Sequence, residues 1–417
     1  MEFQTLTDEQ YQGFIDQYDR VYLTQLLEYG DVRRDEGVEI ARVGLLNGGE
    51  IVAAATVVLE PWKKVFRRAC VYYGPMLDYR ETGLLREFIT GLKAWAHKER
   101  SVIALRVNPY VLRRFYKDIT PGPETEIAKS VDSVMNDLGG RRVLGDFYTD
   151  PTIQPNHMYT KDLGNMSFEQ ILSSVKNNVR TDIRNATANG VEVEFLGPED
   201  FGVLRAVLDH TEDRTGMPPI TDANLARCRD MMEKMGTARY LFPAAILDTN
   251  RALKSIAQET ETIELQMKLL EPDHQHTPTR KQQKQLKELK FRHDALIRRR
   301  EKTLKVSRER GEHVVLTASL FVETPTDLIY HHSGGYEDLA SFRGIYAIHE
   351  AMLKHAALRG LRWYNMHAVP DLADENGPGL GVLEFKRHFQ GNVEELVGTY
   401  EFPIRPFLAR VLGAVGG

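Results

Sequence analysis

Residues 247–313 restrict what this chain can fold into more than any other stretch. Ile256, Thr260, Ile263, Met267 and Leu270 step by four and three, the spacing of a coiled-coil seam. Leu289, Leu296 and Thr303 follow at seven-residue intervals. Between the two runs, residues 271–278 are polar and hold two prolines, which breaks a helix and predicts an exposed tip. Two helices joined by a short break pack antiparallel, so a helical coiled-coil arm is expected over 247–313. Its second helix is strongly basic. Thirteen Lys and Arg between Arg280 and Arg310 face four acids, on a chain of net charge −5. That polarity suits a polyanionic partner, and equally a solvated helical face.

The chain has 417 residues, enough for two globular domains beside the arm. Two cysteines, Cys70 and Cys228, offer no disulfide framework and fit a reducing compartment. The first residues show no secretory signal, and no apolar run reaches the ~18 residues a membrane span needs. The short apolar tail at 406–413 is expected to dock on the fold. A cytoplasmic protein is predicted.

Along the chain, Thr7 to Gln10 signals a helix start, with Tyr11, Phe14, Ile15 and Tyr18 on one face. A second short helix covers 22–33. Strands at 39–46 and 51–59 flank Asn47-Gly48-Gly49, a hairpin signal. A strand at 69–73, a Gly-Pro loop, a helix at 84–97 and a strand at 102–107 follow. The same order returns after the arm: strands at 313–322 and 326–331, a glycine loop, a helix at 346–358 and a strand at 361–366. Helices at 168–188 and 201–213 flank a strand at 191–195. One α/β module therefore occurs twice, with the arm inserted between strand-like segments at 238–245 and 313–322 of the second. An insertion with adjacent ends costs its host little loop entropy.

Several passages then carry a resemblance. Tyr73-Gly74-Pro75-Met76-Leu77-Asp78-Tyr79, Leu105-Arg106-Val107-Asn108-Pro109-Tyr110 and Phe385-Lys386-Arg387-His388-Phe389 are three of them. The run Asn178 to Ala186, followed by Gly190-Val191, is a fourth. In order and spacing they resemble the Fem family of aminoacyltransferases, which build the interpeptide bridges of peptidoglycan. The resemblance runs almost end to end. It implies an α/β (α+β) fold of two acetyltransferase-like modules, 1–157 (completed by 398–417) and 158–397. It also implies a reaction. An amino acid passes from aminoacyl-tRNA to the side-chain amine of the third stem-peptide residue, Lys or ornithine, of a lipid-linked or UDP-linked muramyl-pentapeptide precursor. A place at the inner face of the membrane suits the lipid-linked acceptor. Clustered Lys and Arg neutralise phosphates, so Arg298, Arg299, Arg300, Lys302 and Lys305 of the arm are the expected tRNA contacts.

An aminoacyl ester is already activated. Attack by an amine needs alignment, a free lone pair and a stabilised oxyanion, and neither metal nor cofactor is implied. Lys386 is the candidate cation, and Asp78 the candidate proton acceptor or ammonium holder. Tyr73, Tyr330, Tyr336 and Phe385 are expected to line the substrate pocket. Arg33, where the family more often has lysine, and Arg214 are expected on precursor phosphates. Two departures stand out: Pro218 replaces a family aromatic, and Gln390 intervenes between Phe389 and Gly391. His331, His332 and His367 lack regular ligand spacing and have no thiolate nearby, so they read as structural. An acyl-CoA-dependent N-acyltransferase of the same fold is the alternative. It would need a glycine-lined phosphate cradle opening a helix, and the stretch from Ser341 to Ala347 has one glycine. A tRNA-binding protein without activity would explain the arm alone.

Overall fold

The computed structural model describes residues 1–411 except 19, 146, 148–149, 151–152, 216–218, 271–278, 371 and 373–378; side chains at 213–215 are also left undescribed. The strands, in chain order, begin with β1 (Glu2–Thr5), β2 (Glu39–Asn47), β3 (Glu50–Trp62), β4 (Phe66–Tyr72), β5 (Val102–Asn108) and β6 (Leu112–Lys117). Next are β7 (Thr120–Pro121), β8 (Arg141–Arg142), β9 (His157–Asp162), β10 (Val191–Phe195), β11 (Tyr240–Leu241) and β12 (Pro243–Asp248). Then come β13 (His313–Glu323), β14 (Asp327–Gly335), β15 (Trp363–Ala368), β16 (Asn392–Leu396) and β17 (Tyr400–Pro403).

They form two mixed sheets. The first runs β1-β2-β3-β4-β5-β17-β8, and the second β10-β12-β13-β14-β15-β9-β16-β6-β7, with β11 also on β13. Each contains one parallel pair, β4–β5 or β14–β15. A parallel pair needs a crossover, and a helix supplies it each time: Thr82–Lys98 in the first sheet, Gly344–Arg359 in the second. The expected repetition is thus present in the sheets. The Asn47-Gly48-Gly49 hairpin is also there, with both glycines at positive φ, 59° and 91°.

Alternation along β3 shows why its run is apolar throughout. Ala53, Ala55, Val57 and Leu59 pack against Leu85, Phe88 and Leu92 of the Thr82–Lys98 helix. Ala54 and Val58 face the opposite core. That second core is shared: it joins Tyr11, Phe14, Leu23, Val32 and Tyr73 to Leu204, Cys228, Met232, Phe242, Leu320 and Ile329 of the second half. The far side of the second sheet is covered by helices carrying Val179, Ile183, Ile348 and Met352. Capping box Thr7/Gln10 starts the first helix, Asp8–Ile15, where the sequence predicts it.

Two features depart from the expected pattern, the split of one helix and an added strand. The single helix over 168–188 is two, Phe168–Ser173 and Asn177–Ala188. Arg180 donates to the carbonyls of Leu172, Ser173 and Val175 at 3.3, 2.9 and 2.8 Å, holding open the break between them. The Leu112–Lys117 strand was not foreseen, and it joins the second sheet by pairing with β16. Conversely β17, near the C-terminus, pairs with β5 of the first. The tail helix Pro406–Val411 sets Ala409 against Ile103 and leaves Phe407 exposed.

The inserted segment forms two helices, Thr249–Leu270 and Arg280–Arg310; the expected tip at 271–278 lies outside the described residues. Ile256, Ile263, Leu289 and Leu296 are buried between them, with Met267 and Leu270 alongside. Two threonines are tolerated in this seam because Thr260 and Thr303 donate to the carbonyls four residues back, at 2.7 and 2.9 Å. Glu259 meets Arg299 while Glu264 meets His293, so the helices run in opposite directions. The pair continues the β12–β13 hairpin: Asp248 registers with His313, and the Thr249 amide donates to the Glu312 carbonyl at 2.9 Å.

Candidate active site

The parallel pairing of β14 and β15 covers Asp327–Ile329 against Trp363–Asn365 and goes no further. Beyond it both strands are irregular. On β14 the register against β13 slips between Leu320 and Phe321, so His331 has no opposite residue. On β15 the register against β9 shifts after Asn365, and His367 adopts φ +63°. Its amide is held by the Asn365 carboxamide oxygen at 2.8 Å. These bulges collect His331, His332 and His367, with ring centres 4.2 Å apart for the first two and 5.6 Å from His331 to His367.

Lys386, from the short helix Leu380–Arg387, closes the far side. Its side chain is buried, 5% exposed, and its ammonium donates to the Ala368 carbonyl at 2.7 Å. Among the described residues no carboxylate pairs with it. Burial pushes it down to about 7. His349 and His367 share the same low-dielectric surroundings: burial, reinforced by the Lys386 charge, lowers each to about 3. Both stay neutral. His349 also meets the Tyr364 hydroxyl at 2.6 Å through Nδ1, while its buried Nε2 has no hydrogen-bond partner among the described residues. Tyr330 stacks on Phe321 at 5.0 Å and lies edge-on to His349 at 4.8 Å; burial raises it to about 12. Phe385 lies 5.4 Å from the His349 ring.

Three of the residues singled out in the sequence, Tyr330, Phe385 and Lys386, therefore converge on His349. The others do not. Asp78 is partly exposed and clamped by Arg80, whose hydrogen bonds hold its carboxyl below the usual range. A carboxylate already paired this way is a poor base. Tyr73 is buried, with its hydroxyl on the Pro155 carbonyl at 2.8 Å and its ring 4.0 Å from that of Tyr22. Arg33 is buried between Glu60 at 2.8 Å and Glu36 at 3.2 Å, so its charge is already answered within the protein. Tyr336 belongs to another neighbourhood, edge-on to His210 at 4.7 Å and under the Arg310 guanidinium at 4.6 Å. Arg214 falls in the last turn of the Phe201–Thr215 helix; its side chain, and Pro218, lie outside the described residues.

On the arm, Arg298, Arg300 and Lys305 are exposed. Arg299 turns toward Glu259, and Lys302 lies 3.7 Å over the Phe342 ring, where burial lowers it to about 8. These two are tied to the fold.

Two buried residues of this region, His349 and Lys161, carry no signal in the sequence. His349 sits in an apolar helical stripe between Ile345 and Met352, where one histidine gives no signal. Lys161 is buried on β9, donates to the Gln390 carbonyl at 3.2 Å, and is pushed down to about 8 by burial. Its strand reads His-Met-Tyr-Thr-Lys-Asp, a polar mixture that gives no local sign of the burial.

Gly344 bears on the alternative chemistry. A Cβ there would meet Ala245, Leu316 and Thr317 at 3.0–3.1 Å, so the glycine serves close packing of helix on sheet. The preceding Arg343 is held by Asp182 at 3.0 Å. This helix start faces the protein's own side chains.

Comparisons with known proteins agree with this architecture. The aminoacyltransferase FemA of Staphylococcus aureus (strain MW2) is 23% identical over 415 residues, covering 97% of this chain and 96% of that protein. A crystal structure of FemX superposes with a TM-score of 0.76 at 16% identity, covering 99% of both chains. A tandem GNAT protein from the clavulanic acid biosynthesis pathway gives 0.51 at 11% identity, over 97% and 99%. The FemAB family profile matches residues 6–415. A match of that length, on a fold this similar, makes the chain a member of the FemAB family.

Proposed function

We propose that this FemAB-family aminoacyltransferase moves an amino acid from aminoacyl-tRNA to a peptidoglycan precursor, building the interpeptide bridge. The acceptor is the side-chain amine of the third stem residue, Lys or ornithine. The observation that carries the reading is Lys386, a buried amine with no carboxylate paired to it among the described residues, beside the β14–β15 divergence. The acceptor nitrogen attacks the ester carbonyl carbon, and the carbon–oxygen bond to the tRNA ribose breaks. The nitrogen loses a proton and the ribose oxygen gains one. Negative charge builds on the carbonyl oxygen in between, and protonated Lys386 is the cation placed to receive it. Tyr330 and Phe385 wall the same space. The exposed arm residues Arg298, Arg300 and Lys305 would take RNA phosphates, and Arg214 those of the precursor. The closed packing at Gly344 speaks against an acyl-CoA donor. No helix among the described residues is long and apolar enough to cross a membrane, and a peripheral place beside a lipid-linked acceptor fits this reading.

The deciding experiment supplies purified protein with a muramyl-pentapeptide precursor and charged tRNA. Product should form, and ribonuclease added beforehand should abolish it. Arg214→Ala should raise the KM for the precursor more than that for tRNA. Transfer from an acyl-CoA that survives ribonuclease would overturn the reading.

A further inference from the structure

His331 and His332 are consecutive in β14, and consecutive strand residues ordinarily point to opposite faces. Here they do not. Leu320 registers with His332 and Phe321 with Tyr330, so His331 is the extra residue of a bulge, and both imidazoles turn to one side. On that side lies Cys228, 5% exposed, from the Asp222–Met235 helix. One donor atom from each of Cys228, His331 and His332 falls within 4.8 Å of the other two. No thiol stands near these histidines in the sequence, and the fold brings Cys228 to them from about a hundred positions away.

A second observation concerns orientation. Tyr240 lies 3.2 Å from Nδ1 of His331 and shares a hydrogen bond with Cys228. When Nδ1–H donates to Tyr240, Nε2 of His331 is the atom left to face the thiol; this tautomer is assigned from the network. An imidazole fixed through its other nitrogen by a hydrogen bond is the usual arrangement of a metal-binding histidine. The donors are chemically matched as well. One thiolate and two neutral imidazoles suit a borderline-soft ion in tetrahedral geometry, with bonds of about 2.0–2.3 Å. Closing the present spacing onto such an ion takes movements of roughly 1 Å, within reach of side-chain rotation. His331 and His332 are half-buried, which leaves an approach from the solvent side and a fourth position open there.

We propose that Cys228, His331 and His332 form a binding site for one zinc-class divalent ion. The ion would tie the Asp222–Met235 helix to β14 at the bulge, beside Tyr330 of the candidate active site. It plays no part in the transfer chemistry proposed above, so the two readings stand or fall separately. The second group with metal-binding residue types, Asp248, Glu312 and His313 at the base of the arm, offers no sulfur, and this allows the sites to be told apart.

The test uses the untagged full chain, stripped with a chelator and titrated with Co²⁺. One equivalent should bind, with a thiolate-to-cobalt absorption band in the near ultraviolet. Cys228→Ser should remove the band, and His332→Gln should weaken binding by ~10–100-fold or more, since a direct ligand contributes at least as much as an outer partner. Zn²⁺ should raise the melting temperature of the wild-type chain and leave that of Cys228→Ser unmoved. His332→Gln replaces a half-buried side chain, so it keeps the test open should Cys228→Ser fold poorly. Absence of a thiolate band in the wild type overturns the proposal, as does affinity unchanged in His332→Gln.

Discussion

At the scale of single residues, the proposed chemistry rests on Lys386. Its ammonium is lowered to about 7, so near neutrality it is part cation and part amine. If transfer needs the cation, the fraction of competent enzyme falls as pH rises through 7, while the fraction of free acceptor amine rises toward its own pKa near ~10. The rate should climb tenfold per unit below pH 7 and then level off. Lys386→Met should lower transfer by ~10²–10³-fold and remove the levelling, so the climb continues past pH 8. A wild-type profile lacking that bend would place the cation elsewhere. Stability gives an independent check with a defined sign. The folded pKa lies below the unfolded one, so the unfolded chain binds the extra proton between about pH 7 and 10.5. Wild-type stability therefore rises with pH across that window, by up to ~1.4 kcal/mol per unit from this group, and the Met variant loses that slope. Lys386 stands out in the sequence because it follows an aromatic in a recognisable motif, and the fold buries it beside His349. Arg33 shows what sequence leaves out: it displays a cation but not the carboxylates of Glu36 and Glu60 that fold around it.

At the scale of elements, periodicity was the dependable signal and pairing was not. The two long helices followed from a seven-residue rhythm, and their seam holds the residues that rhythm selects. Which basic side chains stay free could not be read from the run, because that depends on the facing helix and on Phe342. The distinction is testable. Arg298→Ala with Arg300→Ala should weaken tRNA binding and reduce the magnitude of its logarithmic salt slope by ~0.9 per lost phosphate contact, with melting unchanged. Arg299→Ala should chiefly affect the melting of the helical pair, because its partner Glu259 lies within the fold. Equal effects of all three on RNA affinity would contradict this division. The β6 strand was invisible for a related reason. Leu112-Arg113-Arg114-Phe115-Tyr116-Lys117 has no apolar alternation, and its partner Asn392–Leu396 lies far along the chain. Arg113 is held by Glu124 and Asp132 at 2.9 and 2.8 Å, a network no local pattern announces.

At the scale of the whole molecule, the helical pair grows from a hairpin that is already closed at its base. Asp248 and His313 are in register, and the Thr249–Glu312 hydrogen bond seals the end. Replacing residues 250–311 with a short Gly-Asn turn should therefore leave both sheets intact, since a tight turn closes such a hairpin readily. The shortened protein should fold and keep its affinity for the precursor while losing affinity for tRNA, and melt below the parent because Ala252 and Val306 leave the second core. A shortened chain that fails to fold would show that the pair supports the core as well as extending from it.

The traded strands carry a different consequence. Leu112–Lys117 crosses to the second sheet and Tyr400–Pro403 returns to the first, so each half is stitched through the other. Such a chain has no seam along which it can be divided into two self-sufficient pieces. Cut anywhere between them, each piece would be missing an interior or flanking rib that only its counterpart possesses. Either half expressed alone is therefore expected to lack a complete sheet, and to need the other in order to fold.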